Sequence, residues 1–168
     1  MKLIAGLGNP EDKYTNNRHN VGFIFVDFLS EKLNLTFEKQ NNYLIAKNDK
    51  IILIKPQTFM NDSGKAIILA KNFYKVDLND IYIVHDDLDI VLGDYKIQLS
   101  TGPKIHNGIN SIEENLKSKD FWRVRVGVDN RDVKNRIPGD IYVLEDFTET
   151  EKSIINKTVV EIGKSFLG

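Results

Sequence analysis

Leu3 to Leu7 is a short apolar run closed by Gly8-Asn9-Pro10, the pattern of a buried strand that ends in a loop. No period follows from Glu11 to Arg18. At Asn20 the rhythm changes: Val21, Phe25, Phe28, Leu29 and Leu33 recur at helical spacing, which predicts a first helix ending near Asn34. Tyr43 to Ala46 and Ile51 to Ile54 flank the turn-forming Asn48-Asp49-Lys50 and predict a hairpin that Lys55-Pro56 ends. Asp62 or Ser63 is placed to cap a second helix, whose inner face is Ala66, Ile67, Ala70 and Phe73-Tyr74. Ile81 to Val84 is another continuous apolar strand, with His85-Asp86-Asp87 at its carboxyl end. Beyond it, Tyr95 to Leu99 predicts a strand and Ile109, Ile112 and Leu116 a third helix. Trp122 to Val128 reads as a further strand, Ile141 to Leu144 as a short one, and Thr148 opens a terminal helix.

Strands interleaved with helices, several of them apolar throughout, predict a three-layer α/β/α domain over residues 1–168, its mixed, mostly parallel twisted sheet covered by helices on both faces. Sites in such folds gather beyond the carboxyl ends of strands. Asn9, Asn61 and Asp86 all follow predicted strands, so one pocket is expected to collect them.

Composition narrows the chemistry. Without cysteine, disulfides and thiolate catalysis are excluded. No stretch approaches the roughly 20 apolar residues of a membrane helix, and the amino-terminal apolar run is too short for a signal segment, so the expectation is a cytoplasmic protein without membrane contact. A net charge of −1 argues against gripping long nucleic acid by bulk electrostatics, while leaving room for a local basic patch.

Three histidines are present, and His19 stands where a loop enters the first helix, able to be held by neighbours while facing solvent. A histidine there suits a general base, and a buried carboxylate on one ring nitrogen would fix its tautomer and stabilise the imidazolium; Asp86 is the candidate partner. The run His85-Asp86-Asp87-Leu88-Asp89 also invites a divalent cation. Alternation along an extended segment sends successive carboxylates to opposite faces, which ranks that reading lower. Asparagines at 9, 20, 61 and 107 form a second pattern, since amides can hold a peptide backbone and a water without changing charge. Turns and caps explain a lone asparagine, so only their joint occurrence beside His19 and Asp86 carries weight. Phe59-Met60 could line an apolar slot, although core packing explains such a pair equally.

Five ordered blocks then resemble the bacterial peptidyl-tRNA hydrolases over nearly the whole chain: Gly6-Leu7-Gly8-Asn9-Pro10 with Tyr14; Arg18-His19-Asn20-Val21-Gly22-Phe23 with Asp27; Lys55 through Gly64; His85 through Asp89 with His106-Asn107-Gly108; and Arg123 through Gly127. The resemblance implies hydrolysis of the ester joining a peptide, or an N-blocked aminoacyl group, to the 3′-terminal ribose of transfer RNA. It implies His19 as base and Asp86 as its orienting carboxylate, Asn9, Asn61 and Asn107 holding substrate and water, and Tyr14 and Met60 as pocket wall. No cofactor and no metal are implied. The partner would be peptidyl-tRNA, held at its acceptor stem and 3′ end by a monomer, with Arg125 as one half of a phosphate clamp.

Some positions depart from that pattern. Glu11 stands where a glycine is usual, Leu99 to Ile105 replaces a glycine-rich loop, and Gln98 occupies the place of a phosphate-binding lysine, leaving Lys96 or Lys104 to supply the charge. Two other functions are weighed against the hydrolase. One is an RNA-binding protein of the same fold without catalysis, which retention of both His19 and Asp86 disfavours. The other is a metal-dependent hydrolase built on His85, Asp86, Asp87 and Asp89.

Overall fold

A computed structural model describes all residues, Met1–Gly168. Its centre is β1 (Lys2–Gly6), flanked in parallel by β4 (Ile51–Pro56) and β5 (Ile81–Val91), because both faces of this apolar run are covered and it cannot serve as an edge. The seven strands lie in the order β2-β3-β4-β1-β5-β7-β6, with β2 Glu38–Gln40, β3 Tyr43–Lys47, β6 Tyr95–Leu99 and β7 Trp122–Asp129. Only β3 and β6 run against the others, so the sheet is mixed and mostly parallel, as the pattern predicts.

Alternation along the strands divides the core in two. Leu3, Ala5, Ile52, Ile54, Ile81 and Ile83 pack with α2 (Ser63–Tyr74) and α3 (Asn107–Leu116). Ile4, Leu53, Val84, Val124 and Val126 pack on the other face with α1 (Val21–Lys32) and α5 (Glu149–Leu167). Each Leu, Ile or Val among them contributes about 1.5–3 kcal/mol when fully buried. No helix is long and apolar enough to cross a membrane.

The structure differs from the sequence pattern in four places. The strand predicted over Ile81 to Val84 runs on to Val91, so His85-Asp86-Asp87 lie inside β5 and not beyond it. The ladder with β7 carries the extension, pairing His85 to Asp87 with Arg125 to Gly127, and Arg125 compensates the buried Asp87. β1 stops at Gly6 opposite Val84, so Asp86 still projects past the end of its other neighbour. Ile141 to Leu144 is not a strand but the end of a short helix, α4 (Gly139–Tyr142), and its continuation: no strand lies beside it, and its backbone N–H groups bond locally to Pro138, Gly139 and Ile141. Neither proposed cap of α2 acts as one, since the Asp62 carboxylate pairs with Lys65 and the Ser63 hydroxyl donates to the Met60 carbonyl. β2, a polar edge strand, left no apolar signal. Thr148, by contrast, caps α5 with a full capping box to Glu151.

Candidate active site

The start of α1 is pressed onto the ends of β1 and β5. A Cβ on Gly22 would collide with the Leu7 nitrogen and the Val84 carbonyl oxygen, and one on Gly6 with the Gly22 carbonyl oxygen, so both positions need glycine for this approach. The approach brings the 3-10 turn that leads into α1, Arg18–Asn20, to the carboxyl edge of the sheet. Backbone and side-chain bonds then fix that turn. The His19 N–H donates to the Val143 carbonyl at 2.8 Å and the Arg18 N–H to Glu145. The buried Arg18 guanidinium donates to Glu151 at 2.8 Å and to the Tyr142 carbonyl at 3.1 Å, and it stacks 3.8 Å from the Tyr142 ring centre.

The His19 ring turns towards β5. Its Nδ1 lies 2.8 and 2.9 Å from the two carboxylate oxygens of Asp86 and donates to them, while its Nε2 has no protein partner. Asp86 takes a second ring N–H from His106, whose Nε2 is 2.8 Å from Oδ1. The His106 tautomer follows from its other nitrogen: Nδ1 caps α3, accepting from the N–H groups of Gly108 and Ile109 at 3.1 and 3.3 Å, so the ring proton sits on Nε2. Burial alone would raise the Asp86 carboxyl, but His19, then His106, outweigh it by charge and hydrogen bonding and hold it below the usual carboxylate range. Burial alone would lower His19, and the negative charge and hydrogen bond of Asp86 reverse this, leaving it above its ordinary 6.5. His85, on the opposite face, donates from Nδ1 to the Asp86 backbone carbonyl; burial, and then His106, push it down to about 3, so it is neutral.

Amides complete the wall. Asn9 and Asn20 exchange two side-chain to backbone bonds, the Asn20 Oδ1 accepting from the Asn9 N–H and its Nδ2 donating to the Asn9 carbonyl, each at 2.9 Å. The Asn9 Oδ1 accepts from the Met60 N–H, which fixes its amide orientation and leaves Nδ2 as the group available to substrate. Asn61, in the following turn, and Asn107, the first residue of α3, are exposed on the same cavity of about 800 Å³.

Asn9, His19, Met60, Asn61, Asp86, Lys104 and Asn107, all singled out in the sequence, therefore share one cavity. Tyr14 is not on its wall; it lies in a 3-10 turn, with the Lys13 ammonium 5.0 Å from its ring centre. Arg125 is 8% exposed, its Nε donating to Asp87 and its Nη1 to Gln98, each at 2.7 Å. Gln98 thus accepts from the arginine, where the resemblance expected a lysine beside it. Lys96 stands directly opposite Arg125 in the β6–β7 ladder, sharing its face, and is exposed.

Sequence reasoning gave His106 no role of its own, and missed Asp140, Val143 and Leu144 on the cavity wall. His106 had a signal in its place just before an amphipathic helix. The others had none, since α4 reads locally as a strand.

The acidic run does not converge on a cation site: Asp87 serves Arg125, and its Oδ1 accepts from the Asp89 N–H. A different set, His19, Asp86 and His106, brings its ligand atoms within 4.8 Å of one another. Its donor chemistry does not suit a metal, because His106 Nε2 carries the proton it gives to Asp86, and freeing it would break the cap of α3.

A family model described as peptidyl-tRNA hydrolase matches residues 3–166. A peptidyl-tRNA hydrolase of Caldanaerobacter subterraneus subsp. tengcongensis is 43% identical over 95% of this chain and 87% of its own length, and one of Thermoanaerobacter sp. is 41% identical over 96% and 88%. The crystal structure of peptidyl-tRNA hydrolase from Acinetobacter baumannii superposes with a TM-score of 0.86 at 30% identity, covering 95% of this chain and 83% of that one. With a match from the first strand to the last helix, at this identity and with this agreement of folds, the chain belongs to the peptidyl-tRNA hydrolase family.

Proposed function

We propose that this protein hydrolyses the ester between a peptide, or an N-blocked aminoacyl group, and the 3′-terminal ribose of transfer RNA, with His19 as general base on water. The observation that carries the reading is the His19 ring, held on Asp86 at 2.8 Å through Nδ1 while Nε2 has no protein partner at the wall of the cavity. A water on Nε2 gives up its proton as its oxygen bonds to the acyl carbon. The Asn9 Nδ2 and the amides of Asn61 and Asn107 are the donors for the oxyanion that forms. When the carbon–oxygen bond to ribose breaks, the His19 proton goes to the leaving ribose oxygen, giving a free peptide acid and free transfer RNA. All these groups come from one chain, so the proposed chemistry needs no residue of a second copy. Release of peptide from a purified peptidyl-tRNA, by the native chain and by a His19 variant, tests the assignment.

A base must be neutral to accept a proton, so a raised His19 pKa sets the sign of the pH dependence. Activity is lost as pH falls through that value and gained above it. The expected kcat/KM profile therefore rises with pH and inflects above 6.5. An inflection below 6.5 would show that Asp86 does not hold the imidazolium in solution.

Because His106 is committed to Asp86 and to α3, cleavage should persist at full rate after dialysis against EDTA. Loss of turnover that one divalent ion restores would overturn this reading in favour of a metal-dependent hydrolase.

For the nucleic acid, Lys104 on the cavity wall and the exposed Lys96 are the proposed phosphate contacts, with Arg125 offering Nη2 beside them. These are contacts of charge to the acceptor-stem backbone and carry no base readout. In filter binding at varied salt, the Lys96→Ala/Lys104→Ala variant should bind more weakly, its log–log salt slope shallower by about 0.7–0.9 for each phosphate it no longer neutralises. Unchanged affinity and slope would place the nucleic acid on another face.

A further inference from the structure

The wall of the cavity is unevenly charged. Four carboxylates line it, Asp86, Asp87, Asp89 and Asp140, against a single ammonium, that of Lys104. One of the four, Asp87, is neutralised within the fold by Arg125, and Asp86 is committed to the two imidazole N–H groups. Asp129, just outside, is likewise paired with Arg131 and Arg136. Asp89 and Asp140 have no such partner. The Asp89 carboxylate accepts only the Lys104 backbone N–H, at 3.2 Å, which ties the 100–105 loop across to β5; Asp140, at the start of α4, is exposed and unpaired. Beside them the wall is apolar, with Leu88, Val143, Leu144 and Ile105.

The side chain of the esterified residue has to enter this cavity, because its carbonyl carbon must come within bonding reach of a water on His19. From this we infer that Asp89 and Asp140 set a selectivity on that residue: the cavity disfavours an acidic side chain and accepts its uncharged isostere. The inference rests on the hydrolase reading above. Two unpaired carboxylates repel a third across a partly solvated space, while an amide of the same shape carries no charge to be repelled and can hydrogen-bond to the amides of the wall. The repulsion is screened, so the selectivity weakens as salt rises. It acts on the acyl side of the substrate, whereas the contacts of Lys96 and Lys104 act on the nucleic acid.

The test compares two substrates that share one transfer RNA, its N-acetyl-glutaminyl and N-acetyl-glutamyl esters, by kcat/KM at low and at high salt. The expected ratio favours the glutaminyl ester by about tenfold at low salt and shrinks at high salt. In the Asp89→Asn/Asp140→Asn variant, where the amide of residue 89 can still accept the Lys104 N–H, the ratio should fall towards one. Equal rates with the native chain would overturn the inference and leave the hydrolase reading standing. A ratio that persists in the double variant would also overturn it, by placing the discrimination elsewhere. Cleavage of neither ester would sink the hydrolase reading itself.

Discussion

His19→Ala lowers kcat/KM for peptidyl-tRNA cleavage by about 10³-fold, within the roughly 10²–10⁴ that a positioned general base supplies, while the protein keeps its fold. The fold does not depend on the side chain: its ring hydrogen-bonds only to Asp86, and the backbone bond from its N–H to Val143 survives substitution. Circular dichroism and a denaturation midpoint check the fold, and single-turnover release of labelled peptide checks the rate. Substantial turnover by the folded variant would remove His19 from the role of base. Asp86→Asn should fall between the two, at about 10²-fold, because the ring keeps a nitrogen for water but loses its anionic partner. An asparagine there meets two ring N–H donors, those of His19 and His106, with one accepting oxygen.

The second large effect is on stability. Arg18→Met should destabilise the fold by about 3–5 kcal/mol, the range for removing one partner of a buried ion pair, out of a total of about 5–15 kcal/mol for a domain. Both partners are almost fully enclosed, Arg18 at 5% and Glu151 at 4% side-chain exposure, 133 residues apart in sequence. Loss of the arginine strands a carboxylate and also removes the bond to the Tyr142 carbonyl and the stacking on the Tyr142 ring. Urea denaturation reads the change, and a cycle with Glu151→Gln separates the pair from the rest. Should the single variant lose less than about 1 kcal/mol, the pair does not hold α5 to the His19 turn. The same variant should lose activity, since His19 is the next residue in that turn.

Much of the architecture is written locally. The continuous apolar runs at Leu3 to Leu7 and Ile81 to Val84 read as strands covered on both faces, and the helical stripes after Asn20 and Asp62 as helices packed on a layer beside them. The antiparallel hairpin of β3 and β4 was legible from its turn. Short-range pattern fails where tertiary contact supplies the missing partner. Gly139 to Leu144 carries a β-branched sequence, yet without a strand to pair with it winds into a helix and offers its carbonyls to Arg18 and His19.

For the site, residue order alone established which groups were available: a histidine entering a helix, an acidic strand, and asparagines after strand ends, whose chemistry is fixed by residue type. How they are used depends on the packed fold. The pairing of β5 with β7 gave Asp87 to Arg125 and left Asp86 free to project past the end of β1. The placement of α3 beside β5 made His106 a second donor to Asp86, a role no local spacing encodes, since the two lie 20 residues apart. Arg125 shows the same limit from the other side: its charge was legible, but its burial against Asp87 and Gln98 depends on strand register. Residue type sets what a side chain can donate or accept; the long-range contacts, which close loops of tens of residues, settle where those bonds go.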